Sequence, residues 1–193
     1  MWVMGRRGAP IAALLGLAVL AGACASGSGD GSGGNGGTGA SQSAPGPQAR
    51  NAATAALLPT HLYQLPSFDF STYQALLGQL RGTPVVVNIW ASWCGPCIVE
   101  APHLADAAKR YGDRVQFVGV DILDQRGPAV DFIRQYGWTY PSVFDATGAI
   151  RDQLGILGQP ATLFYDADGK LAARWSGALT PDVLSTDIDK ILS

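Results

Sequence analysis

Cysteine and histidine are scarce in this chain, at 3 Cys and 2 His among 193 residues. Three cysteines are too few to staple a mini-protein or to fill a Cys-rich structural zinc site. Charge is sparse as well: 15% of residues are charged, and 13 Lys and Arg against 15 Asp and Glu leave −2. Nucleic-acid binding draws on a basic face that neutralises phosphates, and nothing here supplies one, which argues against a nucleic-acid partner. Long apolar runs are missing too. The stretch from Ala9 to Ala21 is shorter than the roughly 20 apolar residues a membrane-spanning helix needs. A multi-pass membrane fold is therefore not expected. Internal repeats are absent, so the 25 glycines do not imply a collagen-like chain.

What is present is distributed unevenly, in three pieces. Residues 1–23 begin with Arg6 and Arg7, continue through an apolar core and end on small residues, the pattern of a secretory signal. The end of this piece, Leu20-Ala21-Gly22-Ala23-Cys24, resembles a bacterial lipoprotein box. There the Cys24 sulfur would carry a lipid and Cys24 would become the first mature residue. An ordinary secretory signal with an incidental cysteine is the alternative. Residues 24–56 are rich in Gly, Ser, Ala and Thr, with no aromatic residue and no aliphatic side chain larger than Ala. Such a segment cannot bury enough apolar surface to offset its ordering entropy, so a disordered linker is expected. A flexible tether of this length has a root-mean-square reach of roughly 30 Å. Residues 57–193 hold nearly all the bulky apolar side chains of the mature chain, together with 14 of the acids and 10 of the bases. That is enough chain for a domain burying roughly two-thirds of its unfolded surface.

Within this head the pattern alternates. Ser71–Leu80 places Tyr73, Leu76, Leu77 and Leu80 at helical spacing, with Ser71 as the expected N-cap. Val85–Trp90 is a short apolar run of the kind shown by a central strand covered on both sides. A helix is expected from Cys94 to about Arg110, a strand over Val115–Val120, and a helix over Pro128–Tyr136. A short extended piece follows at Ser142–Phe144, and a short helix at Ile150–Leu154. Ala161–Tyr165 and Leu171–Trp175 flank the turn sequence Asp166-Ala167-Asp168-Gly169 and read as a hairpin. Pro181 opens a last helix that runs through Leu192. The order predicts an α/β fold with a mixed central sheet and helices on both faces.

The chemistry concentrates at Trp93-Cys94-Gly95-Pro96-Cys97. Two cysteines separated by two residues, after a buried strand and at a helix start, form a redox pair. Unpaired N–H groups and the helix dipole favour a thiolate at Cys94, whereas Cys97, one turn in, is expected to be shielded. Pro96 removes an N–H that the first turn leaves unpaired anyway. Half of a zinc site is an alternative, but His61 and His103 are the only imidazoles, and neither belongs to a ligand pattern. A purely structural disulfide is another, although so short a loop constrains the unfolded chain little. No metal and no cofactor are expected, because the electrons travel on the two sulfurs.

These residues, preceded by Val85-Val86-Val87-Asn88-Ile89-Trp90-Ala91-Ser92, resemble the thioredoxin superfamily, and within it the extracytoplasmic oxidoreductases of the TlpA/ResA/DsbE group. The likeness covers about residues 65–193. Cys94 to Pro102 fits that group's C-x-x-C-x-x-E-x-P, and Asn88 stands where cytoplasmic thioredoxins carry a buried Asp. Gly158-Gln159-Pro160-Ala161-Thr162 looks like the family's loop with a cis-proline facing the disulfide. The resemblance implies a thioredoxin-like fold and a Cys94–Cys97 redox disulfide. It implies Pro160 as the cis-proline, Gln159 as a residue tuning substrate choice, and Glu100 as a carboxylate that influences thiol ionisation or proton transfer. A solvated surface carboxylate is the plainer reading of Glu100. Trp93 would shield the disulfide edge, and Pro102 should kink its helix. Implied partners are exported protein thiols or disulfides and a membrane redox partner that recycles the pair, in settings such as cytochrome c maturation. The implied location is extracytoplasmic, lipid-anchored through Cys24 or else secreted. A thioredoxin-like copper-handling chaperone is the alternative function, but those proteins typically use a longer Cys spacing and a His near the later proline. The Gly95-Pro96 pair alone does not set the direction of electron flow.

Overall fold

A computed structural model describes residues 56–193; the signal, the linker and Cys24 lie outside the described residues. The first helix, α1, spans Phe70–Gln79 and starts one residue before the position its apolar spacing suggests. Its cap is Asp69 rather than Ser71, because a carboxylate at that position reaches the Thr72 N–H (2.7 Å) that the first turn leaves free. The hydroxyls of Ser71 and Thr72 donate to the same oxygen, and these bonds lower the Asp69 pKa to about 2.

Strand β1 (Val85–Trp90) is buried along its whole length. It lies at the centre of a five-stranded sheet, parallel to β2 (Gln116–Ile122) on one side and antiparallel to β4 (Ala161–Tyr165) on the other. Strand β3 (Ser142–Asp145) extends the parallel side and β5 (Leu171–Ser176) the antiparallel side, giving the order β3-β2-β1-β4-β5. The intervening helices are α2 (Gly95–Tyr111), α3 (Arg126–Tyr136) and α4 (Ala149–Gln153), with α5 (Pro181–Ile191) after β5. Strand β2 runs two residues past the apolar run that marks it, because the pairing of Trp90 with Asp121 carries the ladder onward.

Side chains alternate across the sheet, so the core divides in two. Val86 and Trp90 share one cluster with Ala101 and Leu104 of α2, Phe132 and Ile133 of α3, and Leu184 and Ile188 of α5. Val85, Val87 and Ile89 meet Tyr73 and Leu76 of α1 and Ile150 of α4 on the opposite face. This is the mixed sheet with helices on both sides that the sequence predicts. Asn88 shares its parity with Val86 and Trp90, and that face presents it to α2.

Candidate active site

The chain leaves β1 at Trp90 and enters α2 at Gly95, so the Cys pair sits where a central strand becomes a helix. Cys94 is the N-cap of α2: its backbone is extended, its sulfur accepts from the Cys97 N–H at 3.3 Å, and Pro96 lies in the first turn. The structure joins Cys94 to Cys97 in a disulfide. Cys94 is 4% exposed and Cys97 1%. The contrast expected between an open and a shielded thiol is therefore small in the oxidised form, where both sulfurs are drawn over the first turn.

The approach to the pair is held from the loop after β2. The Ser92 N–H and hydroxyl both donate to the Asp124 carboxylate, and the Trp93 indole N–H donates to the Leu123 carbonyl at 3.0 Å. Leu123 has φ +52°, a left-handed conformation that is costly for a branched side chain. The Trp93 ring is 57% exposed, a larger open face than a pure shielding role suggests. Leu123 and Asp124 carry no local signal of their own in the sequence.

Glu100 is fully buried, which overturns the solvated-carboxylate reading. It lies one turn beyond Cys97 on α2 and accepts from Asn88 Nδ2 (2.8 Å) and from the Leu179 N–H (2.9 Å). Burial raises its pKa to about 7, against the opposing pull of the Leu179 and Asn88 bonds. Pro102 sits inside α2 and leaves the Ile98 carbonyl without its helical donor. The neighbouring Ala101 carbonyl accepts from the Trp138 indole at 3.0 Å, which ties α2 to the aromatic core.

The Gln159–Pro160 bond is cis, as the resemblance implies. Pro160 is buried directly before β4, and its carbonyl accepts from the Gly177 N–H at 2.9 Å. Gln159 is half-buried, and its Oε1 accepts from Arg151. An open groove of about 450 Å³ runs beside this bend, lined by Gly155, Leu157, Gln159, Pro160, Arg174 and Gly177. Among the described residues, no group of three or more His, Cys, Asp and Glu is arranged to hold a metal.

Residues 62–174 match the AhpC/TSA family. The chain belongs to that family. It is 37% identical over 125 residues to the thiol-disulfide oxidoreductase ResA of Oceanobacillus iheyensis, covering 64% of each sequence. It is 33% identical over 150 residues to the thiol:disulfide interchange protein DsbE of Escherichia coli K12, covering 76% of this chain and 79% of that one. A solved structure of a secreted Mycobacterium tuberculosis disulfide oxidoreductase, homologous to E. coli DsbE, superposes with a TM-score of 0.55. That pair is 31% identical, over 58% of this chain and 85% of the other. The fold is thioredoxin-like, and the chain is a protein-disulfide oxidoreductase carrying the Cys94–Cys97 pair.

Proposed function

We propose that this member of the AhpC/TSA family exchanges disulfides with exported proteins outside the cytoplasm, using Cys94 as the attacking sulfur and Cys97 as the resolving one. The observation that carries the assignment of roles is the position of Cys94 at the N-cap of α2, where the free N–H groups of the first turn favour a thiolate. In the reducing direction the Cys94 thiolate attacks one sulfur of a substrate disulfide, and the other substrate sulfur leaves with the electron pair and takes up a proton. Cys97 then loses its proton, with Glu100 as acceptor, and attacks the Cys94 sulfur. The second substrate sulfur leaves as a thiol, and the Cys94–Cys97 bond closes. Two electrons and two protons pass to the substrate. The oxidising direction reverses each step.

The remaining residues serve this exchange. Gly95 and Pro96 keep the loop between the sulfurs short. Trp93 offers an open aromatic face beside it. The cis bend at Gln159–Pro160 turns backbone toward an extended substrate strand, whose side chains the adjoining groove can take. A lipid on Cys24 would hold the head at the outer face of a membrane through the flexible linker, near the redox partner that recycles it. The apolar leader in the sequence supports an exported location, as does the secreted M. tuberculosis relative.

Three experiments test this reading. In an insulin-reduction assay with dithiothreitol, Cys97→Ser should accumulate a mixed disulfide at Cys94, and Cys94→Ser should form none; turnover by both variants at the wild-type rate would contradict the roles. Membrane fractionation of Cys24→Ser should move the chain from the membrane to the soluble exported fraction. An unchanged distribution would remove the anchor. Equilibration of the pair against glutathione sets the direction, with a potential near −270 mV marking a reductant and one near −120 mV an oxidant.

A further inference from the structure

Asn88 stands in the middle of β1, opposite Gly119 on β2 and Thr162 on β4. Its side-chain amide is buried, and its two ends differ. Nδ2 donates twice, to Glu100 Oε1 at 2.8 Å and to Thr162 Oγ1 at 3.1 Å. Oδ1 receives no donor among the described residues. A buried amide oxygen left in this way costs free energy, and such groups are uncommon in native folds.

Both partners at the bonded end can reverse. Glu100 accepts as a carboxylate, but as an acid it carries an O–H that must donate. A threonine hydroxyl accepts from Nδ2 or donates to an amide oxygen equally well. The terminal torsion of Asn is broad and roughly two-fold, so a half-turn presents Oδ1 to both partners. Among the described residues Oδ1 has no donor, so the bonded end, where the proton on Glu100 comes and goes, is the end whose chemistry changes during exchange.

We propose that Asn88 is a positioning residue for the exchange reaction: its amide reverses each time Glu100 gains or loses a proton, securing the proton near Cys97 and relaying the change to Thr162, two residues beyond the cis-proline. The proposal rests on Glu100 being the proton acceptor for Cys97. In this step the Cys97 S–H bond breaks and a Glu100 O–H bond forms; the proton later goes to the leaving thiolate or to solvent. The groups facing Glu100 come from three elements. Asn88 belongs to β1, and the Leu179 N–H comes from the segment before α5. The Tyr140 phenol lies before β3, and burial holds it well above its ordinary range, so it stays neutral where Glu100 titrates.

The decisive measurement uses the unmodified reduced chain, with nitrogen-15 in the Asn side-chain amides and carbon-13 in the Glu carboxyls. Followed by NMR from pH 5 to 9, the Asn88 amide resonances should shift with the same midpoint as the Glu100 carboxyl, and Glu100→Gln should abolish that shift. Asn88→Ala removes a charge-assisted bond from the ionised form and a weaker neutral one from the acid, so the pH midpoint of the exchange rate should rise by about half a unit to one unit. An Asn88 amide that stays silent while Glu100 titrates overturns the proposal alone. A Glu100 carboxyl that does not titrate in this window, in a chain that still exchanges disulfides, overturns the proposal and the proton-acceptor reading together. The NMR result stands without the alanine variant should that variant not fold.

Discussion

Asp121, the penultimate residue of β2, is fully buried, with no hydrogen-bond donor to either carboxyl oxygen among the described residues and the Asp124 carboxylate as its neighbour. Burial, reinforced by Asp124, raises its pKa from 3.8 to about 9. The folded chain therefore keeps a proton that the unfolded chain sheds above pH 3.8, and this contribution to stability falls as pH rises toward 9. Asp121→Asn removes the titration. Urea unfolding should find the variant more stable than wild type at pH 8, by about 1–3 kcal/mol, with the difference vanishing near pH 4. A difference independent of pH would place the proton elsewhere. The same scale holds much of what sequence reading could and could not see. Cys94 and Cys97 are legible because their chemistry depends on local order along the chain, and the role of Pro160 is legible only through the resemblance of the loop around it to the family's. The burial of Glu100 is not, because it follows from β1 and the segment at Leu179 closing over α2 from 12 and 79 residues away.

Among the elements, the approach of β2 to β1 and β3 sets the tightest constraint. A β-carbon on Gly119 would overlap Ser142 Oγ and stand 2.8 Å from Trp90 Nε1. Gly119→Ala should destabilise the fold by about 1–3 kcal/mol in urea unfolding, and Ser142→Gly in the same chain should recover part of the loss. Full stability in the single variant would show that the strands can part without cost. The strands themselves were readable because buried runs such as Val85–Trp90 have few other homes, and the Asp-Ala-Asp-Gly turn forces a hairpin. Their ends were not. The ladder pairing that extends β2 through Ile122, and the Asp69 cap on α1, depend on partners that local pattern does not carry.

For the molecule as a whole, three carboxyl groups shape the pH dependence of stability. Asp69, lowered to about 2, contributes stability that is lost as pH falls below 3.8. Glu100 and Asp121, raised to about 7 and 9, contribute stability that is lost as pH rises from about 4. Urea midpoints should therefore peak between about pH 4 and 5 and decline toward pH 9; a maximum at pH 8 would contradict these assignments. The fold's larger consequence is to set the sulfur pair at a strand-to-helix junction, with a buried carboxyl one turn along the same helix and a cis bend leading into the neighbouring strand. The most direct test of that arrangement is the alkylation rate of Cys94 in the reduced chain against pH, mapped by peptide mass spectrometry. The helix start predicts half-maximal reactivity below about pH 7.5, with Cys97 unmodified until Cys94 has reacted. A midpoint at or above about 8.5, the value of an ordinary thiol, would contradict the account.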